Sequence, residues 1–141
     1  VSEPQGYDYF DVAADIGVTG WGPTVAEAFR QTGLGVFALI VAPNEVEERE
    51  MREVQATGER REDLLVNWIN ECLYLHDIEG FVARRIDFPV FETGRLLSRL
   101  WGEPVDGSRH RLGTLVKAAT FHQLTIEDHS GMWTVRLIVD I

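Results

Sequence analysis

The first regular pattern along the chain is a short apolar run at residues 16–21, which follows the aromatic and acidic stretch Tyr7-Asp8-Tyr9-Phe10-Asp11. Its length, and the break at Gly22-Pro23-Thr24, predict a strand. Thr24 stands three residues before Glu27, the spacing of a capping box in which hydroxyl and carboxylate each satisfy an orphan backbone donor. A helix is therefore expected over 25–40. Val25, Ala28, Phe29, Val36, Phe37 and Ile40 fall on one face of it, and Pro43-Asn44 closes it. Residues 50–57 alternate weakly through Met51, Val54 and Ala56, as a solvent-flanked strand does. The strongest element is expected over 60–76. There Leu64, Leu65, Trp68, Ile69, Cys72, Leu73 and Leu75 form a broad apolar stripe, with Asn67, Asn70 and Glu71 on the other side. Asp77 and Gly80 mark its end.

The remainder reads as strands: 81–91, a turn at Thr93-Gly94, then 96–101. A polar loop over 102–111 separates these from runs at 114–121, 123–128 and 132–139. The last two form a hairpin about Ser130-Gly131. Strand, helix, strand, helix and then a series of strands argues an α+β fold, with two helices packed on one face of a mostly antiparallel, mixed β-sheet.

Length and composition narrow the class. The 141 residues fit one domain, 1–141. A chain of this size buries enough surface to fold without disulfides. Its one cysteine, Cys72, has no internal partner, which fits a reducing compartment. The opening Val1-Ser2-Glu3-Pro4 lacks the character of a signal peptide. No apolar run approaches the length of a membrane span. A cytoplasmic protein is expected. The formal net charge of −10 opposes direct binding to a phosphate backbone. It favours cations or a basic protein surface. Arginine outnumbers lysine twelve to one, as a GC-rich genome or, less directly, salt adaptation would produce.

Three aspartates are candidates for chemistry: Asp11, Asp15 and Asp140. Asp140 ends an apolar strand one residue before the terminal Ile141, whose α-carboxylate adds a second charge. If that strand is docked, two carboxylates lie close and repel unless a cation sits between them. Hard oxygen ligands suit Ca²⁺, Mg²⁺ or Mn²⁺. The competing reading is a frayed, solvated terminus. His122 reads as a hydrogen-bonded, half-buried residue or as a functional one. Lys117 stands out as the only lysine, either by chance or because a compact ammonium is needed there. His76 fits a helix C-terminus, and His110 and His129 fall in loops. No phosphate-binding loop, dinucleotide fingerprint, zinc-protease motif or nucleophile elbow occurs, and no catalytic residue is assigned.

Taken together, the segments resemble the archease family. The carriers are Tyr9-Phe10-Asp11-Val12-Ala13-Ala14-Asp15-Ile16-Gly17, then Trp21-Gly22-Pro23-Thr24 with Glu27-Ala28-Phe29. They continue with Asp63-Leu64-Leu65-Val66-Asn67-Trp68-Ile69-Asn70-Glu71-Cys72-Leu73, then Val116-Lys117-Ala118-Ala119-Thr120-Phe121-His122, and close with Val139-Asp140-Ile141. Val12 and Ala13 stand where the family's opening motif usually carries His-Thr. The resemblance implies a two-layer fold and a protein cofactor of the RtcB-type RNA ligase, promoting guanylylation and multiple turnover in tRNA splicing and RNA repair. It implies a metal site at Asp15, Asp140 and the Ile141 carboxylate; Asp11, Lys117 and His122 are candidates to support it. The alternatives from other classes are a stand-alone metal-dependent hydrolase and a chaperone-like binding module.

Overall fold

A computed structural model describes residues 4–141. The first three residues of the acidic opening lie outside the described residues. Strand β1, Gly6–Val12, and strand β2, Asp15–Gly22, form an antiparallel hairpin closed by Val12 opposite Asp15. The sequence pattern does not give β1. Its aromatic and acidic residues hide a period of two, in which Tyr9 turns inward to donate its hydroxyl to the Gly35 carbonyl at 2.7 Å.

Helix α1, Val25–Ile40, has the expected bounds. Only half of its expected capping box forms. The Glu27 N–H donates to Thr24 Oγ1 at 3.0 Å. The Glu27 carboxylate instead accepts from Gln31 Nε2 at 2.9 Å and pairs with Arg30, since both partners stand one turn further along the helix. After strand β3, Glu50–Thr57, helix α2 runs over Arg61–Glu79. It extends a turn past His76 and ends at Gly80, whose φ of 70° suits glycine. His76 accordingly lies in the last turn, with Nδ1 3.1 Å from the Phe81 carbonyl.

Strands β4, Phe81–Glu92, and β5, Arg95–Pro104, follow as a hairpin. The expected strand over 114–121 shrinks to β6, Ala118–Ala119. Residues before it run beside α1, with Gly113 and Thr114 N–H groups donating to the Ile40 and Leu39 carbonyls. Strands β7, Thr125–His129, and β8, Met132–Asp140, make the expected terminal hairpin.

The α+β reading holds, with every strand pairing antiparallel among the described residues. The strands divide between two sheets. One has the order β1-β2-β8-β6, with β7 also on β8; the other is β3-β5-β4. Helix α1 packs on both, against β2 and β4, while α2 covers β3 and reaches β6. Trp68 and Phe29 are fully buried between them, each contributing roughly 1.5–3 kcal/mol by burial. The Trp68 indole N–H donates to Ser98 Oγ at 2.9 Å, and that hydroxyl donates to the Val54 carbonyl at 2.7 Å. Among the described residues, no helix is long and apolar enough to cross a membrane.

Candidate metal centre

The two ends of the chain meet in the first sheet. Ile16 of β2 pairs with Val139 of β8, so one step along the ladder Asp15 stands opposite Asp140. Directly opposed residues have Cβ atoms roughly 5 Å apart. Side chains alternate across a sheet. Val135, Leu137 and Val139 enter the core, so Ile138 and Asp140 turn to the outer face. Asp15 and Gly17 share that face, together with Phe10 and Val12 of β1. The Phe10 ring lies over Gly17 so closely that a Cβ there would fall 2.2 Å from it. Arg136 stacks on the same ring, 3.9 Å from its centroid.

The end of β8 is held on both sides. Opposite β2, Ala118 pairs with Asp140. The Lys117 N–H donates to the Asp140 carbonyl at 2.8 Å, and Thr120 donates to the Ile138 carbonyl through both N–H and Oγ1. Asn70 of α2 anchors this segment in turn. Its Oδ1 accepts from the Ala119 N–H at 2.8 Å. Asp140 is half-buried, and Ile141 remains 38% exposed beside it. The Asp140 main chain is thereby anchored, one residue before Ile141.

The other sequence candidates are distributed differently. Asp11 pairs with Ile16 and so turns to the helix side of the sheet, away from Asp15 and Asp140. Lys117 is exposed, lies just before β6, and makes no ion pair among the described residues. His122 is exposed, not half-buried, because β6 ends before it and the chain turns. Its N–H donates to Thr120 Oγ1 at 3.3 Å. No group of three His, Cys, Asp or Glu side chains converges among the described residues. The corner supplies two side-chain carboxylates, and the main-chain carboxylate of Ile141 is needed for a third oxygen donor. That donor set is chemically fit for a hard divalent cation. Val12 lies across from Asp15 on the same face, so the departure from His at this position removes an imidazole from the corner itself.

A second polar cluster escaped sequence reasoning. Glu103 is fully buried at the end of β5. Its carboxylate accepts from the Glu47 N–H at 2.9 Å, Arg49 Nε at 2.8 Å, Arg109 Nη2 and His110 Nε2 at 2.9 Å. The Asp106 N–H donates to His110 Nδ1 at 2.8 Å, which places the neutral ring's proton on Nε2. Burial pushes the Glu103 carboxyl up, but the donors outweigh it and bring it down to about 2. Glu103 lies at the end of β5, and Asp106, Arg109 and His110 follow in the loop after it. The only available signal was that one carboxylate there follows the apolar Leu100-Trp101.

Comparison with known proteins agrees over nearly the whole length. The model of the Archease protein family (MTH1598/TM1083) matches residues 7–141. Protein archease of Pyrococcus abyssi is 37% identical over 139 residues, covering 96% of this chain and 98% of the relative. Protein archease of Sulfurisphaera tokodaii is 33% identical over 138 residues, covering 97% and 99%. Among solved structures, protein 1598 of Methanobacterium thermoautotrophicum superposes with a TM-score of 0.79 at 33% identity, covering 96% of this chain and 99% of that one. An archease from Thermotoga maritima, described as a possible chaperone, shares the fold with a TM-score of 0.65 at 19% identity, covering 94% of each chain. The chain belongs to the archease family.

Proposed function

We propose that this protein is an accessory factor of an RtcB-type 3′-phosphate RNA ligase, promoting its guanylylation and repeated turnover in tRNA splicing and RNA repair. It acts on that cytoplasmic partner and has no substrate of its own. Asp15, Asp140 and the Ile141 carboxylate are the oxygen donors for a divalent cation, Ca²⁺, Mg²⁺ or Mn²⁺. When bound, such an ion supplies positive charge toward phosphate oxygens. The observation that carries this reading is the register of β8, which sets Asp140 beside Asp15 at a strand end gripped from both sides. The acidic chain, with its net charge of −10, suits contact with a protein and disfavours contact with RNA.

The test mixes the protein with the ligase of the same organism, GTP and Mn²⁺, and follows covalent guanylate on the ligase. Asp15→Asn and removal of Ile141 should each abolish stimulation while leaving the melting temperature within a few degrees. Both should also weaken Mn²⁺ binding measured by calorimetry on the protein alone. Normal stimulation by either variant overturns the reading. So does hydrolysis of phosphate esters by the protein with Mn²⁺ and no ligase.

A further inference from the structure

Among the described residues, strand β3 is an outer strand of its sheet and has β5 on one side only. The Val54 carbonyl accepts from Ser98 Oγ of β5, so the main chain of Val54 faces β5. By alternation, the main chains of Met51, Glu53, Gln55 and Thr57 face outward. At the two ends of this open edge the carbonyls are occupied. Asn67 Nδ2 donates to Thr57 at 2.8 Å, and Arg52 Nη1 donates to Met51 at 3.1 Å. Between them, no hydrogen bond among the described residues reaches the outward N–H and C=O groups of Glu53 and Gln55.

Beside this edge runs a cleft between β3 and α2. It comprises two adjoining cavities of about 290 and 300 Å³ that share Gln55 and Glu71 in their walls. One wall carries the α2 side chains Tyr74 and Ile78, which are 63% and 67% exposed. Two large apolar side chains on an outward helix face contribute nothing to the fold when left in water. The surroundings are acidic. Glu53, Glu71 and Glu79 line the cleft, and Asp77 lies on the same helix. Arg99 and Arg52 pair with Glu53 and Glu79, whereas Glu71 has no ion pair among the described residues.

We propose that the β3 edge is a docking site for an extended segment of another protein in which aliphatic and basic residues alternate. The segment adds as a short fourth strand, exchanging main-chain hydrogen bonds with Glu53 and Gln55. Its aliphatic side chains turn into the cleft against Tyr74 and Ile78. Its basic side chains turn to the opposite face beside Glu53, while Glu71 and Glu79 flank the cleft on the α2 side and keep its surroundings acidic. Charge selects this occupant over a second copy of the chain. Antiparallel self-pairing about Glu53 and Gln55 would bring two acidic rims together, on molecules that each carry a net charge of −10. The site lies on the other sheet from Asp15 and Asp140 and stands independently of the cation reading.

The test uses an end-blocked octapeptide alternating arginine with valine, titrated into the ¹⁵N-labelled protein at physiological salt. Saturable shifts are expected at residues 53–55 and 74–78. Gln55→Pro, which removes an outward N–H, and Ile78→Asp should each weaken binding at least tenfold. The same peptide N-methylated at alternate amides should lose binding to the same degree. It tests the same hydrogen bonds on an unaltered protein, should Gln55→Pro disturb the strand. A peptide with glutamate in place of arginine should not bind. The proposal is overturned if the basic peptide fails to bind, or if its N-methylated form binds equally well, which would indicate charge attraction alone. It is also overturned if sedimentation shows a dimer that Gln55→Pro dissolves.

Discussion

Replacing Glu103 by glutamine tests whether the buried carboxylate holds the loop after β5 against the connector before β3. The change is nearly isosteric, so it leaves packing intact and alters only charge and hydrogen bonding. All four contacts of the Glu103 side chain are donors: the Glu47 N–H, Arg49, Arg109 and His110. A glutamine has one oxygen and one NH₂, so either the His110 and Glu47 pair or the two arginines must face another donor. Arg49 and Arg109 are partly exposed and can turn to water, so the amide should point at them. The expected cost is that of one mismatched buried group and a lost charge-assisted bond, about 3 kcal/mol. For a chain of this length that corresponds to a fall in Tm of roughly 10 °C. Thermal denaturation at pH 7 measures it.

A pH series adds an independent signature. The carboxyl is brought to about 2 in the folded protein, below its ordinary value near 4.5 in an unfolded chain. A lowered acid contributes stability that is complete above the unfolded value and lost as pH falls through the folded one. The difference between the parent protein and Glu103→Gln should therefore be full above about pH 5 and close progressively toward pH 2. A change in Tm below 2 °C at pH 7, or a difference that does not narrow in acid, would refute the reasoning.

Two further outcomes follow from the packing. Cys72 is buried on α2, and burial pushes its thiol well above the usual range. It should resist iodoacetamide in the native protein and react at once in denaturant, by mass spectrometry; rapid native labelling would contradict this. Gly17→Val would drive a side chain into the Phe10 ring and should destabilise by about 1–3 kcal/mol. Gly17→Val combined with Phe10→Ala should recover part of that in urea unfolding. No recovery would show that the ring is not the obstacle.

The elements most legible in the sequence were those with a single strong period. Both helices and β3 to β5 emerge near their expected bounds, because Trp68, Ile69, Cys72 and their neighbours each occupy one face. Strand β1 was hidden because Tyr7, Tyr9 and Phe10 are large on both faces, one set packing on α1 and the other on Gly17. The 114–121 run misled in the opposite sense. Its apolar residues Leu115 and Phe121 are 65% and 51% exposed, so hydrophobicity there does not report pairing. The Asp15 and Asp140 pairing was accessible only as family resemblance, since no local pattern reveals which strands become neighbours. Parity then separates Asp11 from that pair, which no spacing argument could do. Glu103 and His110 were invisible for a related reason: four donors from separate segments make burial of that charge tolerable, and sequence shows the charge without the donors.

The position of β8 between β2 and the Lys117–Thr120 segment has a bearing on how the protein is made. The β1-β2 hairpin leaves the ribosome before both helices and the β3-β5-β4 sheet, whereas its partner strand β8 leaves after them. Until β8 has emerged, β2 must wait with one edge bare, and the outer face carrying Asp15 has no counterpart. Nascent and prematurely terminated chains would thus carry both helices and the β3-β5-β4 sheet but lack the carboxylate corner. Quality control could recognise such chains by the open flank of β2.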